Sequence, residues 1–318
     1  MCQLSSLENI YVDIILQTES ANDQGNVIKK TETRNRQMMR LSVGMKKMAC
    51  VAAVDLVCIL IVAMPCLLLN VIGEPYMRGF FCSDESIRHP YLDSTVPDWV
   101  LILISYGLPA IIIALVETAL LKHSETFSGA RLAREMYNTF GLFMFGSMVN
   151  QLLTDTSKFT IGSGKYNVVK CMSLLSGRLR PHFIEVCNPD VLMTEAVCGP
   201  PDSPRYVTNF TCLGQPELSG SERASLRGSR LHDMRLSFVS GHASLSAYSM
   251  WFCIVFLHQR MSTRNFRLVR PLIQVGCALF AVFTSLTRVS DYKHHPEDVA
   301  SGAVLGLIVS SLTVTVRA

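Results

Sequence analysis

Residues 99–121 read WVLILISYGLPAIIIALVETALL, a stretch whose one charged residue is Glu117. A helix needs about 20 apolar residues to cross the hydrocarbon core of a bilayer, which is roughly 30 Å thick. A charged side chain at that depth usually has a partner on another helix. The stretch therefore predicts a membrane-spanning helix with an interhelical contact at Glu117.

Five further stretches have the length of a span, and the composition agrees with a membrane protein. The 318 residues are 49% hydrophobic and 17% charged, with a mean hydropathy of +0.30, unlike an ordinary soluble domain. The net charge of +4 is too small to indicate a nucleic-acid partner. We predict an all-α integral membrane protein with six transmembrane helices, at about 49–71, 99–121, 136–156, 238–257, 270–287 and 298–316.

Basic residues near the ends of the spans set the orientation, because they are retained on the cytosolic side. They cluster before the first span, between the second and third, and between the fourth and fifth. We therefore expect cytosolic N- and C-termini, with residues 1–48 as a polar, disordered tail and residues 49–316 as one membrane domain. No cleavable signal peptide is expected. The segments expected to face the outside or a lumen are about 72–98, 157–237 and 288–297.

The predicted outer loops carry two features typical of a non-cytosolic location. Asn209-Phe210-Thr211 is the single N-glycosylation sequon of the chain, and it lies in the long outer loop. Disulfides can persist in such loops, and five cysteines lie there: Cys82, Cys171, Cys187, Cys198 and Cys212. An odd number leaves at least one without a partner in these loops, and the sequence leaves the pairing open.

Ser240-Gly241-His242 begins the fourth predicted span at the outer face. Ser240 suits an N-cap, and Gly241 lets a ligand approach the backbone. The N–H groups and the positive end of the helix dipole favour an anion such as phosphate. His242 would lie in the first turn, where it would donate a proton to a leaving alkoxide. The alternative is a capped helix with an interfacial histidine.

A second cluster runs from Arg288 to Asp298. Arg288 offers a planar fork of donors to phosphate oxygens. His294 and Asp298 are four residues apart, so on one helix the carboxylate would hydrogen-bond one imidazole nitrogen. The other nitrogen would then attack phosphorus. Pro296 suits the first turn of that helix. The alternative is a surface loop with snorkelling charges.

Together with Arg180-Pro181 in the long outer loop, these segments resemble the signature of the lipid phosphate phosphatases, the type 2 phosphatidic acid phosphatase group. The family pattern is KxxxxxxRP, then SGH, then SRxxxxxHxxxD. In this chain the third motif runs from Thr287 to Asp298, with Thr287 in place of the serine. The resemblance is therefore carried by two nearly complete motifs and part of a third.

The resemblance covers nearly all of the chain from about residue 47 to 316, including GEPYMRGFFCSDESIRHPY at 73–91. It implies a phosphatase that needs neither metal nor cofactor and acts on phosphatidate, lysophosphatidate, sphingosine phosphate or ceramide phosphate. The implied reaction passes through a phosphohistidine, with His294 as nucleophile, Asp298 orienting it and His242 as general acid. The implied phosphate-binding residues are Lys158, Arg180, Ser240, Gly241 and Arg288.

The first motif departs from the family pattern, because Ser173 occupies the position of the expected lysine. Lys158 would have the family spacing without Ser163 to Gly177, SGKYNVVKCMSLLSG, so this segment is interpreted as an insertion. If it bulges out as a loop, Lys158 still reaches the phosphate. If it displaces the end of the third span, Lys165 or Lys170 has to substitute. We expect weakened rather than abolished activity.

Other classes of function stay open. A catalytically silent relative acting as a membrane scaffold fits the interrupted first motif, although His242 and His294 argue against it. A sugar-phosphate phosphatase of the same superfamily, or a transporter, fits the predicted architecture. No carboxylate cluster or CxxC pair indicates a metal site. We expect the protein to meet its lipid substrate in the plasma membrane, with an extracellular or lumenal active site; the sequence leaves homo-oligomer formation open.

Overall fold

A computed structural model of the protein describes residues 49–73, 79–122, 128–162, 179–191, 194–200, 203–214, 230–261 and 267–317. The predicted tail and the predicted insertion lie outside these ranges. Contacts between residues divide the chain into two units, Met1–Cys58 and Ile59–Ala318. Within the described residues, the first unit supplies the beginning of one helix, and the candidate site lies in the second.

The described chain is mostly helical. In chain order its elements are α1 (Ala49–Ile72), β1 (Phe80–Phe81), α2 (Asp98–Lys122), α3 (Gly129–Gly162), α4 (Phe183–Cys187), α5 (Glu195–Cys198), β2 (Tyr206–Val207), α6 (230–233), α7 (Gly241–Arg260), α8 (Val269–Ser290) and α9 (Pro296–Arg317). The predicted spans coincide with the long helices α1, α2, α3, α7, α8 and α9. Four of these, α1, α2, α8 and α9, are long and apolar enough to cross a membrane.

Helix α3 extends at both ends beyond the predicted 136–156, so the loop that was predicted to begin at residue 157 begins later. Its polar residues have partners on other helices. Asn150 accepts a hydrogen bond from Ser244 of α7 at 2.9 Å, and Asp155 accepts one from Asn70 of α1 at 3.0 Å. Apolarity alone underestimates the length of such a helix, because polar side chains that face neighbouring helices are tolerated at membrane depth.

Helices α7 and α9 approach each other closely at two glycines of α9. A Cβ on Gly302 would overlap the carbonyl oxygen of Ser240, and one on Gly306 would overlap that of Ser244. Small residues four apart on one helix face permit such an approach. The Ser240 N–H also donates to the Asp298 carbonyl at 3.1 Å. The second and third sequence motifs are thus joined through the backbone.

Successive long helices present opposite ends to one cavity. The cavity is lined by the C-terminal ends of α1, α3 and α8 and by the N-terminal ends of α2 and α7. Helix α9 begins at Pro296, two residues after the lining residue His294. Chain direction therefore alternates along the series of long helices.

The described segments outside the long helices form a second core beside the cavity. We call 79–97 together with the described parts of 179–240 the outer cap, after the side of the membrane that the sequence predicts for them. In it, β1 and β2 pair antiparallel, and Phe183 is fully buried at the centre of its apolar cluster. Disulfides join Cys82 to Cys198 and Cys187 to Cys212. Four of the five loop cysteines are therefore paired, and Cys171 lies outside the described residues.

The sequence predicted an interhelical contact for Glu117 without naming the partner, and in the structure the partner is Arg260, at the other end of the helices from the cavity. Nε and Nη2 of Arg260 donate to the two carboxylate oxygens of Glu117 at 3.1 and 2.6 Å. Glu117 is fully buried, and a buried carboxylate is strongly destabilising without a paired cation. The expected interhelical contact is confirmed, and it joins α2 to α7.

Candidate active site

One cavity of about 1170 Å³ contains residues from all three sequence motifs. It brings together six of the predicted site residues: Lys158, Arg180, Gly241, His242, Arg288 and His294. The other two, Ser240 and Asp298, are joined by the backbone hydrogen bond between α7 and α9. The motifs are far apart in the sequence and meet because their helices end at the same face.

Lys158 lies near the end of α3, next to the start of α7. A Cβ on Gly241 would lie 3.6 Å from Lys158 Nζ, which is van der Waals distance. The buried carboxylate of Asp155, one turn earlier, lies 3.7 Å from Nζ. Asn70 donates to that carboxylate from α1. This placement agrees with the interpretation in which the insertion leaves Lys158 at the site.

Arg180 is held in one orientation by three acceptors. Its Nε donates to the carbonyl of Asp233 at 2.9 Å, and its Nη2 donates to the carboxylate of the same residue at 2.6 Å. Its Nη1 donates to the carbonyl of Lys293 at 3.3 Å. The guanidinium is therefore fixed beside the cavity before any ligand binds.

Arg288 is almost completely buried and is bound by the segment before α2 and by Asp291. Its Nη2 donates to the Val96 carbonyl at 3.1 Å and to the Asp291 carboxylate at 3.2 Å, and its Nη1 donates to the Ser94 hydroxyl at 3.3 Å. The backbone N–H and the hydroxyl of Thr95 each donate to Asp291 at 2.8 Å. The segment before α2 thus fixes both the arginine and its counter-ion.

Helix α7 begins at Gly241 with Ser240 at the N-cap, as predicted. The Ser240 hydroxyl makes no capping bond, and its Oγ is buried without a hydrogen-bond partner in the described part of the chain. His242 lies in the first turn, with Nε2 3.1 Å from the Val96 carbonyl and 3.5 Å from a carboxylate oxygen of Asp98. Asp98 is placed to pair with the imidazolium that a general acid requires.

The imidazole of His294 is oriented by a backbone carbonyl. Its Nδ1 lies 2.7 Å from the carbonyl oxygen of Ser237, and since a carbonyl only accepts, Nδ1 carries the proton. The expected bond from Asp298 to this ring is wrong, because α9 begins at Pro296 and His294 precedes it. Asp298 instead accepts from the Ser237 hydroxyl at 2.6 Å and contacts His295 Nδ1 at 3.3 Å. Ser237 thus bonds to both Asp298 and His294.

The other ring nitrogen of His294, Nε2, carries the free lone pair. Burial lowers the pKa of His294 well below its usual value, and the positive charges of Arg180 and Lys158 lower it further. The imidazole is therefore neutral at physiological pH. A neutral imidazole beside several cations is suited to attack an anionic phosphorus group.

Lys293 is a cavity cation that the sequence analysis missed. Its Nζ lies 3.5 Å from the centroid of the Tyr91 ring in the outer cap. Burial, and next the charge of Arg180, lower the pKa of Lys293 to about 8. The family pattern leaves this position unspecified, so no motif marks it.

Three carboxylates that the sequence analysis also missed fix the predicted cations. The pairs are Asp155 with Lys158, Asp233 with Arg180, and Asp291 with Arg288. In the first and last pairs the partners are three residues apart, a spacing at which helical side chains meet. The pair of Arg180 and Asp233 joins residues from separate segments of the outer cap, and no local pattern reveals it.

Two further predictions concern the glycosylation site and metal binding. Asn209 is exposed shortly after β2 in the outer cap.

Among the residues that the structure describes, no group of three or more His, Cys, Asp or Glu side chains is arranged to hold a metal ion. Lys and Arg side chains line the cavity, and their positive charges can bind an anion and stabilise charge that develops on it.

Comparisons with known proteins agree with this chemistry. The family model described as the PAP2 superfamily matches residues 157–318. Phospholipid phosphatase 1 of Rattus norvegicus is 35% identical over 266 residues, which cover 82% of each chain. Phospholipid phosphatase 2 of Mus musculus is 33% identical over 263 residues, which cover 82% of this chain and 83% of the relative. No solved structure matches the chain significantly.

Inorganic phosphate should raise the melting temperature of the detergent-solubilised protein, because it binds the folded cavity. At a concentration of about 100 times the Kd, a ligand stabilises the folded state by about 2.7 kcal/mol. Arg288→Ala should remove most of this shift. The control is Arg267→Ala, an exposed arginine just before α8, which should keep it. Equal phosphate-induced shifts in the two variants would contradict an anion site at Arg288.

Proposed function

Because the chain belongs to the PAP2 superfamily, we propose that it dephosphorylates lipid phosphomonoesters in this cavity, with His294 as the nucleophile. The chain is an integral membrane protein and a phosphatase, in agreement with its relatives and its apolar helices. The observation that carries the proposal is the meeting of Arg180, His242 and His294 in one cavity. The proposed substrates are phosphatidate, lysophosphatidate, sphingosine phosphate and ceramide phosphate.

In the proposed complex, the phosphate dianion lies between Lys158, Arg180 and Arg288. It also meets the N-terminus of α7 at Ser240 and Gly241, where backbone N–H groups and the helix dipole favour an anion. Charge-assisted hydrogen bonds from arginine are strong and directional. Since carboxylates already hold these cations in place, little reorganisation is needed when charge develops in the transition state.

The reaction then proceeds in two steps. Nε2 of His294 attacks phosphorus and forms an N–P bond, while the bond from phosphorus to the ester oxygen breaks. His242 gives its proton to that oxygen, so the lipid leaves as an alcohol. A water molecule next attacks the phosphohistidine, and His242 takes a proton from it. The N–P bond breaks, inorganic phosphate leaves, and His294 keeps its Nδ1 proton against the Ser237 carbonyl.

Replacing the nucleophile tests this proposal. His294→Ala should lower phosphate release from phosphatidate by at least about 10³-fold, because loss of a covalent nucleophile removes the reaction path itself. Assays with EDTA present should give the same turnover, since the proposed site uses side-chain cations. The control is His258→Ala, an exposed histidine near the other end of α7, which should be fully active.

Two outcomes would count against the proposal. Near-normal turnover by His294→Ala would exclude this residue as the nucleophile. If the wild-type protein released no phosphate from any of the four proposed lipids, a catalytically silent scaffold would be the better account. Size-exclusion chromatography of each variant separates loss of chemistry from loss of folding.

The pKa of Lys293 predicts an alkaline limit to activity. Its positive charge is present below about pH 8 and is lost above it, since its pKa is lowered to about 8. The value of kcat/KM should therefore fall as the pH rises through that value. Lys293→Arg keeps the positive charge to much higher pH and should move the fall upward. Superimposable alkaline limbs of the two kcat/KM profiles would contradict a role for Lys293.

The proposed topology has six spans, cytosolic termini and a cavity at the extracellular or lumenal face of the plasma membrane. The alternating helix ends at the cavity support six spans. The two disulfides of the outer cap support an oxidising compartment on that side. Arg260 and Arg270, at the other helix ends, support a cytosolic position there. Residues 1–48 would form a cytosolic tail, and 49–316 the phosphatase domain.

Glycosylation tests this topology. The protein made in mammalian cells should carry one N-linked glycan, seen as a gel mobility shift that endoglycosidase removes. Asn209→Gln and Thr211→Ala should each abolish the shift, because either substitution destroys the sequon. A wild-type protein without this shift, at normal expression, would contradict an outer position for the long loop.

A further inference from the structure

We propose that the cavity continues beyond the phosphate pocket into a slot that holds one hydrocarbon chain of the substrate lipid. The chain slot is defined by Val71 and Ile72 of α1, Leu101 and Ile102 of α2, and Leu245 of α7, all of which line the cavity. This inference rests on the proposed function, which places the phosphate group of the same lipid beside His294 and the arginines.

The wall formed by α2 changes from polar to apolar along the helix. Asp98 lies 3.5 Å from His242 at the phosphate end. The following lining residues of α2 are Leu101, Ile102 and Tyr106. At about 1.5 Å per residue, the wall from Asp98 to Tyr106 extends about 12 Å along the helix axis. A lipid phosphate has the same order, with a charged group at one end and hydrocarbon beyond it.

Helix α7 repeats this order on another side of the cavity. Gly241 and His242 line the phosphate end, and Leu245, about one turn later, lines the apolar part. The cavity of about 1170 Å³ is larger than the roughly 300–1,000 Å³ that usually accommodates a whole small ligand. The phosphate group alone therefore leaves most of the cavity for another part of the substrate.

The chain slot opens on the outer surface of the helices. Val71, Ile72 and Ile102 line the cavity and are also 72%, 70% and 53% exposed. The same side chains thus face both the cavity and the surroundings of α1 and α2. In a membrane these surroundings are hydrocarbon, because both helices are apolar enough to span it. Leu101 and Leu245 are buried and close the inner side of the slot.

A hydrocarbon chain is the occupant that this geometry favours. A chain that moves from the bilayer into the slot stays in apolar surroundings, so its transfer requires little free energy. The phosphate of the same molecule can then reach the cations while the rest of the chain remains in the membrane. A soluble phosphate ester would instead leave the apolar wall of the slot against water, which is unfavourable.

The test compares two substrates that share a head group, dioleoyl phosphatidate and dibutyryl phosphatidate, with the full-length protein in detergent micelles. Ile102→Trp should narrow the opening and lower kcat/KM for the dioleoyl lipid by about tenfold or more, equivalent to about 1.4 kcal/mol. Its kcat/KM for the dibutyryl lipid should stay within about twofold of wild type. Retained turnover of the short lipid also reports that the variant is folded.

Two further variants make the comparison specific. Leu103→Trp places the same bulk on the next residue, which is 62% exposed and is not among the cavity-lining residues, and it should leave both substrates unaffected. Ile72→Trp, on the facing wall of the slot, should reproduce the selective loss with the dioleoyl lipid.

The outcomes distinguish a failure of the slot proposal from a failure of the proposed phosphatase function. The slot would be overturned if Ile102→Trp and Ile72→Trp each lowered kcat/KM equally for both lipids, or lowered it for neither. In that case the activity of the wild-type protein would still support the proposed function. A wild-type protein that released phosphate from neither lipid would overturn the proposed function, and the slot with it.

Discussion

Several positive charges line one cavity, and the site depends on how their repulsion is balanced. The basic residues that line it are Lys158, Arg180, Arg230, Arg288 and Lys293. Like charges repel strongly away from bulk water, so each cation needs a fixed partner. Carboxylates supply partners to Lys158, Arg180 and Arg288, and an aromatic face supplies one to Lys293. These partners leave an excess of positive charge, which a phosphate dianion complements.

Contacts between the helices hold the reacting side chains in place beside these charges. Two glycines of α9 let its backbone approach the start of α7, and this contact places Ser237 between the two motifs. The Ser237 carbonyl holds the His294 ring, while its hydroxyl is bound by Asp298. The outer cap completes the arrangement, since Val96 contacts both Arg288 and His242. The phosphate-binding residues, the nucleophile and the proton donor are therefore all held by one set of contacts between the helices and the outer cap.

Much of the architecture could be predicted from sequence, because apolar runs long enough to span a bilayer have few alternatives. The ends of α3 could not, because residues 129–135 and 157–162 contain no long apolar run that marks them as part of a span. The motif residues were gathered at one face as expected, yet the bond from Asp298 to His294 was wrong because the helix starts after His294. Asp233 escaped prediction because long-range packing brings it to Arg180, and Lys293 escaped it because the family pattern leaves its position unspecified.

The most direct test of the account is to identify the residue that becomes phosphorylated. The wild-type protein would be mixed with phosphatidate radiolabelled in its phosphate group, quenched rapidly in alkali during turnover and mapped by mass spectrometry. The account predicts one phosphoryl group, on the imidazole of His294. A phosphoryl group on any other residue would contradict it, as would turnover by the wild-type protein with no covalent intermediate at His294.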